Sequence, residues 1–282
     1  MRGSQRRTSI MDRMRSDGSV AVGDLARELA VSPATIHRDL RNLAEEGLVE
    51  RVHGGARLPR AEPGARSAWS SRRRRNADAK EQIARAALEW IEEGSTVFVD
   101  ASTTCAALAK SLAAGSVGSL TLVTNSPVVA AEFDHDGVHL IVTPGEVDQN
   151  LRLIGGRWTV EFLASLNFST SFISAIGITP ERGLSTAQRN IADVLTAVRR
   201  ASDQTVALID SSKYGTQSLL PIARVDELDA VIVDGGLAER EREALRAAGA
   251  ALEIAGEPAA VSGAPSGSPS PARPRNLKVK RR

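Results

Sequence analysis

The chain has one cysteine, Cys105, in 282 residues. That excludes an intrachain disulfide and any cluster of thiolates around a metal. Its four histidines (37, 53, 135 and 139) fall in no zinc-like spacing, so no metal is expected. Phe, Trp and Tyr make up 3% of the chain, too few to build stacking platforms for single-stranded nucleic acid. No run of 18 apolar residues occurs and the N-terminus is polar, which argues against a membrane span or a signal peptide. A soluble, cytoplasmic protein without membrane contact is the expectation.

Net charge is also scarce, at +2, but its distribution is uneven. Up to Asn76, 16 Lys and Arg outnumber 9 Asp and Glu, whereas from Ala77 to Ala255 there are 14 against 24. From Gly256 onward there are 6 against 1. A basic head on an acidic body fits a polyanion-binding domain joined to a body with another task.

Val20 to Ala56 holds the clearest pattern. Leu25, Leu29 and Val31 are the apolar positions of a short helix. Ser32-Pro33 is a helix start, a hydroxyl to cap free amides followed by a residue that needs no partner for one. Ile36, Leu40 and Leu43 then form one buried stripe, and Thr35, His37, Arg38 and Arg41 fill the opposite face. Gly47 is placed to end the helix. Leu48, Val49 and Val52 can pair as strand, with Arg51 and His53 at the tip of a wing. A turn followed by a helix with a polar, basic face is a helix-turn-helix pattern, whose second helix can enter the major groove of duplex DNA.

The residues of this stretch resemble the DNA-binding domain of the DeoR family of bacterial transcriptional regulators. They are Leu25-Ala26, Leu29, Val31-Ser32, Thr35-Ile36, Arg38-Asp39-Leu40, Leu43, Gly47, Arg51 and His53-Gly54-Gly55-Ala56. His37 stands where the family has the first arginine of a pair, and imidazole cannot make a bidentate guanidinium contact to a base. The resemblance implies that Ser32, Thr35, His37, Arg38, Arg41, Arg51 and His53 face an operator.

Past the head, apolar strands alternate with helices. The pattern predicts helices over Ala79–Glu93, Thr104–Leu112, Val128–Phe133, Arg157–Ser165, Ile191–Ala201 and Leu237–Ala248. Strands are predicted over Thr96–Val99, Leu120–Val123, Val138–Val142, Ser171–Ile178, Thr205–Ile209, Ala230–Val233 and Ala251–Ile254. This is an α/β pattern with a mostly parallel sheet covered on both faces. Ligands of such sheets sit where strands end. Four polar turns stand there: Asp100 to Thr104, Thr124 to Ser126, Gly183 to Thr186, and Asp210 to Gly215.

These turns are similar to the family's C-terminal sensor domain, related in fold to ribose-5-phosphate isomerase and the CoA transferases. The fold class expected is therefore α/β, a winged helix-turn-helix domain plus a larger Rossmann-like sensor domain. The domains expected are a head at 1–57, a basic linker at 58–76, a sensor at 77–255 and a basic, Gly-, Ser- and Pro-rich tail at 256–282 outside the family pattern. By resemblance, Asp100, Ser102, Thr103 and Thr104 take the phosphate of a phosphorylated sugar or related effector. Thr124 and Asn125 flank it, and Asp210 with Lys213 holds the polar end. Trp69, Arg72, Asn76 and Lys80 match a further family spacing, which places Arg72, Asn76 and Lys80 on one helix face. Leu195 replaces a family lysine, Ser102 a glycine, and Pro144-Gly145 a Gly-Gly pair. The function implied is an operator-binding repressor, a homo-oligomer released by a phosphorylated metabolite, with no catalytic residue and no cofactor. An isomerase-like enzyme and a regulator whose body only oligomerises are the alternatives.

Overall fold

The computed structural model describes residues 3–45, 48–52, 54–57, 68–115 and 118–257. His53, Gly47, the first part of the linker and the tail beyond 257 lie outside the described residues.

The head begins with helix α1 (Gly3–Asp17) and strand β1 (Ser19–Ala21), followed by α2 (Val22–Glu28) and α3 (Pro33–Glu45). Strands β2 (Glu50–Val52) and β3 (Gly55–Arg57) complete it. Ser32 Oγ accepts the Thr35 amide at 3.2 Å, so the expected cap forms. Ile36, Leu40 and Leu43 of α3 are buried with Leu25 of α2 and with Ile10 and Met14 of α1. Each such side chain contributes roughly 1.5–3 kcal/mol on leaving water. The wing is a three-stranded antiparallel sheet in the order β1-β3-β2. Gly55 is needed there because a Cβ would lie 2.0 Å from the Val20 carbonyl oxygen. Asp39 points inward from α3 and pairs with Arg6 of α1, which fixes the rotation of α3.

Residues 68–76, read from the sequence as the end of a linker, are ordered against the body. Helix α4 (Ala68–Arg74) buries Trp69, whose indole donates to the Ala101 carbonyl at 3.1 Å. Arg73 stacks over the Trp69 ring and binds Glu132 with two hydrogen bonds of 2.7 Å.

The body then follows as α5 (Ala77–Ala87), β4 (Thr96–Val99), α6 (Thr103–Ala113), β5 (Leu120–Thr124), α7 (Pro127–Glu132) and β6 (Val138–Val142). After a hairpin of β7 (Glu146–Asp148) and β8 (Leu153–Gly155) come α8 (Arg157–Ala164) and β9 (Phe168–Ile173). Strands β10 (Gly177–Thr179) and β11 (Gly183–Thr186), helix α9 (Arg189–Arg200), then β12 (Ser202–Ile209) and β13 (Leu220–Ala223) continue the chain. It closes with β14 (Ala230–Asp234), α10 (Glu239–Ala247) and β15 (Leu252–Ala255). The main sheet is seven-stranded in the order β15-β14-β12-β9-β4-β5-β6, and all its pairs are parallel. Apolar clusters cover it, one with α5 and α6 and the other with α8 and α9.

Three expectations change. The strand expected over Ser171–Ile178 is two strands in different sheets, because the chain leaves the main sheet at Ser174 to form β10. Gly183 to Thr186 is strand β11, not a turn, and pairs with β10 and β13. Gly183 has φ +65°, and a Cβ there would meet the Ala223 carbonyl oxygen at 2.0 Å. The helix expected from Ala79 to Glu93 begins at Ala77 and ends at Ala87 in a single 3-10 turn, Leu88–Trp90.

Candidate functional site

The sheet order places β4 and β9 side by side although the chain runs from β4 to the opposite side first. The crevice at such a reversal, at the carboxyl ends of the strands, is where open α/β sheets bind ligands. A cavity of about 170 Å³ lies there. The chain segments after β4, β5, β9 and β12 supply Asp100, Asn125, Ser174 and Asp210 to its wall.

Asp100 is buried, and both its oxygens are in use. Oδ1 accepts the Ser102 amide at 2.7 Å and Oδ2 the Ser174 amide at 2.8 Å. Burial pushes its carboxyl above the usual range, against the pull of these hydrogen bonds. Asp100 therefore ties the β4 and β9 ends together. Ser102 caps α6, accepting the Cys105 amide at 3.1 Å, and with Thr103 lines the cavity. Thr104 and Thr124 are fully buried and are not among the cavity-lining residues. Thr124 Oγ1 donates to the Val99 carbonyl at 2.8 Å and accepts the Ser126 amide at 3.1 Å, which holds β5 to β4 and starts α7.

Lys213 donates to Ser174 Oγ at 3.0 Å and lies 3.8 Å from Asp210. Burial lowers the lysine's pKa, with Asp210 opposing. For Asp210, burial works to raise the pKa, but Lys213, Ser212, Asn76 and Lys80 outweigh it and hold the carboxylate ionised.

Sequence reading placed the cations of this site only partly. Arg72, Arg75, Asn76 and Lys80 line the same cavity. Their spacing was the available signal, but the single helix face it suggests does not exist. Asn76 takes a left-handed conformation (φ 52°, ψ 42°) that breaks the chain between α4 and α5. Its amide donates to Asp210 at 2.9 Å and to Ser212 at 3.1 Å. Lys80 lies on α5 and donates to the Arg72 carbonyl at 2.6 Å and to that of Arg75, so it caps the end of α4. Burial lowers its pKa to about 8. Arg72 lines the cavity from α4, and its buried Nε has no hydrogen-bond partner. The Leu195 side chain, where the family pattern has lysine, is buried in the same wall. Among the described residues no three His, Cys, Asp or Glu side chains cluster as a cation would require.

In the head, His37, Arg38 and Arg41 of α3 are exposed and share one concave face with Arg51 of the wing. Ser32 and Thr35 sit at the start of α3 with their hydroxyls 2.9 Å apart. This arrangement can lay α3 in a groove with cations from two elements against phosphates.

The DeoR-like helix-turn-helix domain matches residues 6–62, and the DeoR C terminal sensor domain matches residues 75–235. The HTH-type transcriptional regulator GlpR of Haloferax volcanii is 31% identical over 246 residues, 87% of this chain and 95% of its own length. The glycerol-3-phosphate regulon repressor of Escherichia coli K12 is 31% identical, across 83% of this chain and 92% of its own. Among solved structures, ribose 5-phosphate isomerase A of Methanocaldococcus jannaschii aligns with a TM-score of 0.37 at 15% identity, over 49% of this chain and 55% of its own. With both domain signatures in place and such relatives over nearly the whole length, the chain belongs to the DeoR family of DNA-binding transcriptional regulators.

Proposed function

We propose that the protein represses metabolic genes by holding an operator with its head, and that a phosphorylated sugar or similar small metabolite in the body's cavity releases it. The observation that carries this reading is the cavity itself. Arg72, Arg75, Lys80 and Lys213 converge on it, and the buried Arg72 Nε lacks a partner. A guanidinium with a free edge suits a phosphate oxygen. Asp100, Ser102 and Thr103 shape the wall beside it, while Thr104 and Thr124 brace it from behind. Arg38 and Arg41 with Ser32, Thr35, His37 and Arg51 would meet the DNA. A homo-oligomer, a dimer or larger, fits the repeated half-sites that such heads read.

Binding without turnover is the favoured role of the body. Proton transfer needs a carboxylate free to reach substrate. Asp100 is occupied by two backbone amides, and Asp210 by Asn76, Ser212 and Lys213.

Gel shift of the purified protein on its own upstream DNA, with and without a panel of sugar phosphates, tests the proposal. Specific binding released by one ester is the expected result. Specific binding that none of them alters would leave a regulator without this sensor. Turnover of ribose 5-phosphate would restore the enzyme reading.

A further inference from the structure

The cavity wall carries an acceptor that the protein leaves unsatisfied. Asn125 follows β5 and is 4% exposed. Its backbone carbonyl accepts the Ile154 amide at 2.7 Å, and its Nδ2 donates to the Ile154 carbonyl at 3.1 Å. Turning the side-chain amide over would set Oδ1 against that carbonyl oxygen, so the partner decides the orientation. Oδ1 has no hydrogen-bond donor among the described residues. Such orphaned acceptors are rare in folded proteins, and each asks for a reason. The neighbouring wall is aliphatic, with Leu153, Ile176, Val194 and Leu195. None of these can supply a proton.

We propose that Asn125 Oδ1 accepts a hydrogen bond from a hydroxyl of the ligand and so selects among phosphate esters of similar size. This rests on the body being a phosphate-ester sensor. The ligand class is a small monophosphorylated polyol or aldose that turns one hydroxyl to Asn125 and a C–H face to the aliphatic wall. Size agrees: a cavity of about 150 Å³ holds benzene, so about 170 Å³ holds a short carbon chain or one sugar ring with the phosphate toward the mouth. An ester lacking the hydroxyl leaves Oδ1 unpaired in the closed cavity, and sites built to bond a hydroxyl reject analogues without one.

The test is calorimetric titration of the full chain with glycerol 3-phosphate, ribose 5-phosphate and propyl phosphate. Propyl phosphate is glycerol 3-phosphate without its two hydroxyls. The better hydroxylated ester should bind at least about tenfold tighter than propyl phosphate. In Asn125→Leu the ratio should fall to within about twofold, with propyl phosphate itself little changed. Asn125→Ala gives the same comparison if the leucine does not fit. Equal affinities in the unaltered protein overturn the proposal, and so does a ratio that both variants leave intact; in each case the phosphate-ester pocket survives. If none of the three esters binds, the sensor reading falls and the proposal with it.

Discussion

Asp100 and Asp210 are buried in one wall and held in opposite ways. Burial dominates at Asp100 and favours its neutral form, whereas the cations and amides around Asp210 prevail and keep it ionised. The difference follows from neighbours, since Asp100 has backbone amides and Asp210 has Lys213, Lys80 and Asn76. Lys80 makes a testable case. Its folded pKa of about 8 lies below the value near 10.4 of an unfolded lysine, so between these the unfolded state holds more protons. Stability contributed by Lys80 should therefore rise as pH increases from about 8 to about 10.4. Denaturant unfolding of the unaltered protein and Lys80→Met across this range should show their difference growing with pH; a constant difference would mean that Lys80 is not buried as a strained cation. In the head, Arg38→Ala should weaken operator binding by about 1–3 kcal/mol at fixed salt if Arg38 reads a base, with thermal stability unchanged because the side chain is exposed. Unchanged affinity in anisotropy titrations would take α3 out of the groove.

At the scale of elements, α4 is where sequence and structure part most. Its run of arginines reads as a solvated linker, because charge counts do not reveal that Trp69 buries itself and that Lys80 caps the helix end. The family spacing did mark Trp69, Arg72, Asn76 and Lys80, yet not the left-handed break at Asn76 that turns three positions of one presumed helix into three walls of a cavity. The parallel strands were legible because each is a short apolar run between turns, and β4, β6 and α3 lie where periodicity puts them. Strands β7, β8 and β13 were not, being three or four residues long with little alternation. The split of β9 from β10 was hidden for another reason. The run through Ile178 stays apolar, and only the demand of Asp100 for the Ser174 amide bends it away. Docking of α4 should be measurable. Trp69→Phe keeps most of the buried ring but leaves the Ala101 carbonyl without its donor, and should lower unfolding stability by about 1 kcal/mol. Trp69→Ala should cost about 3–5 kcal/mol. If neither changes the unfolding midpoint, α4 does not hold to the body.

For the molecule as a whole, the uneven charge sets how the two ends answer to salt. A basic head facing phosphates releases counterions when it binds, so operator affinity should fall more than tenfold between 50 and 200 mM salt, with a log–log slope of about −0.9 per phosphate contacted. Anisotropy at a series of salt concentrations measures it, and a flat response would mean that the exposed arginines of α3 and the wing do not lie along the backbone. The order of the main sheet bears on something different, the timing of synthesis. The head has its own apolar core and is complete by Arg57, whereas β9 and β12, which close the cavity against β4, arrive more than a hundred residues later. Domains tend to fold as units as they leave the ribosome, the first one first. A nascent or prematurely terminated chain therefore reaches a state in which it can grip DNA before it has any place for the signal that would make it let go. Nonsense mutations late in the coding region should accordingly act as permanent repression rather than as loss of the regulator, wherever the fragment survives proteolysis.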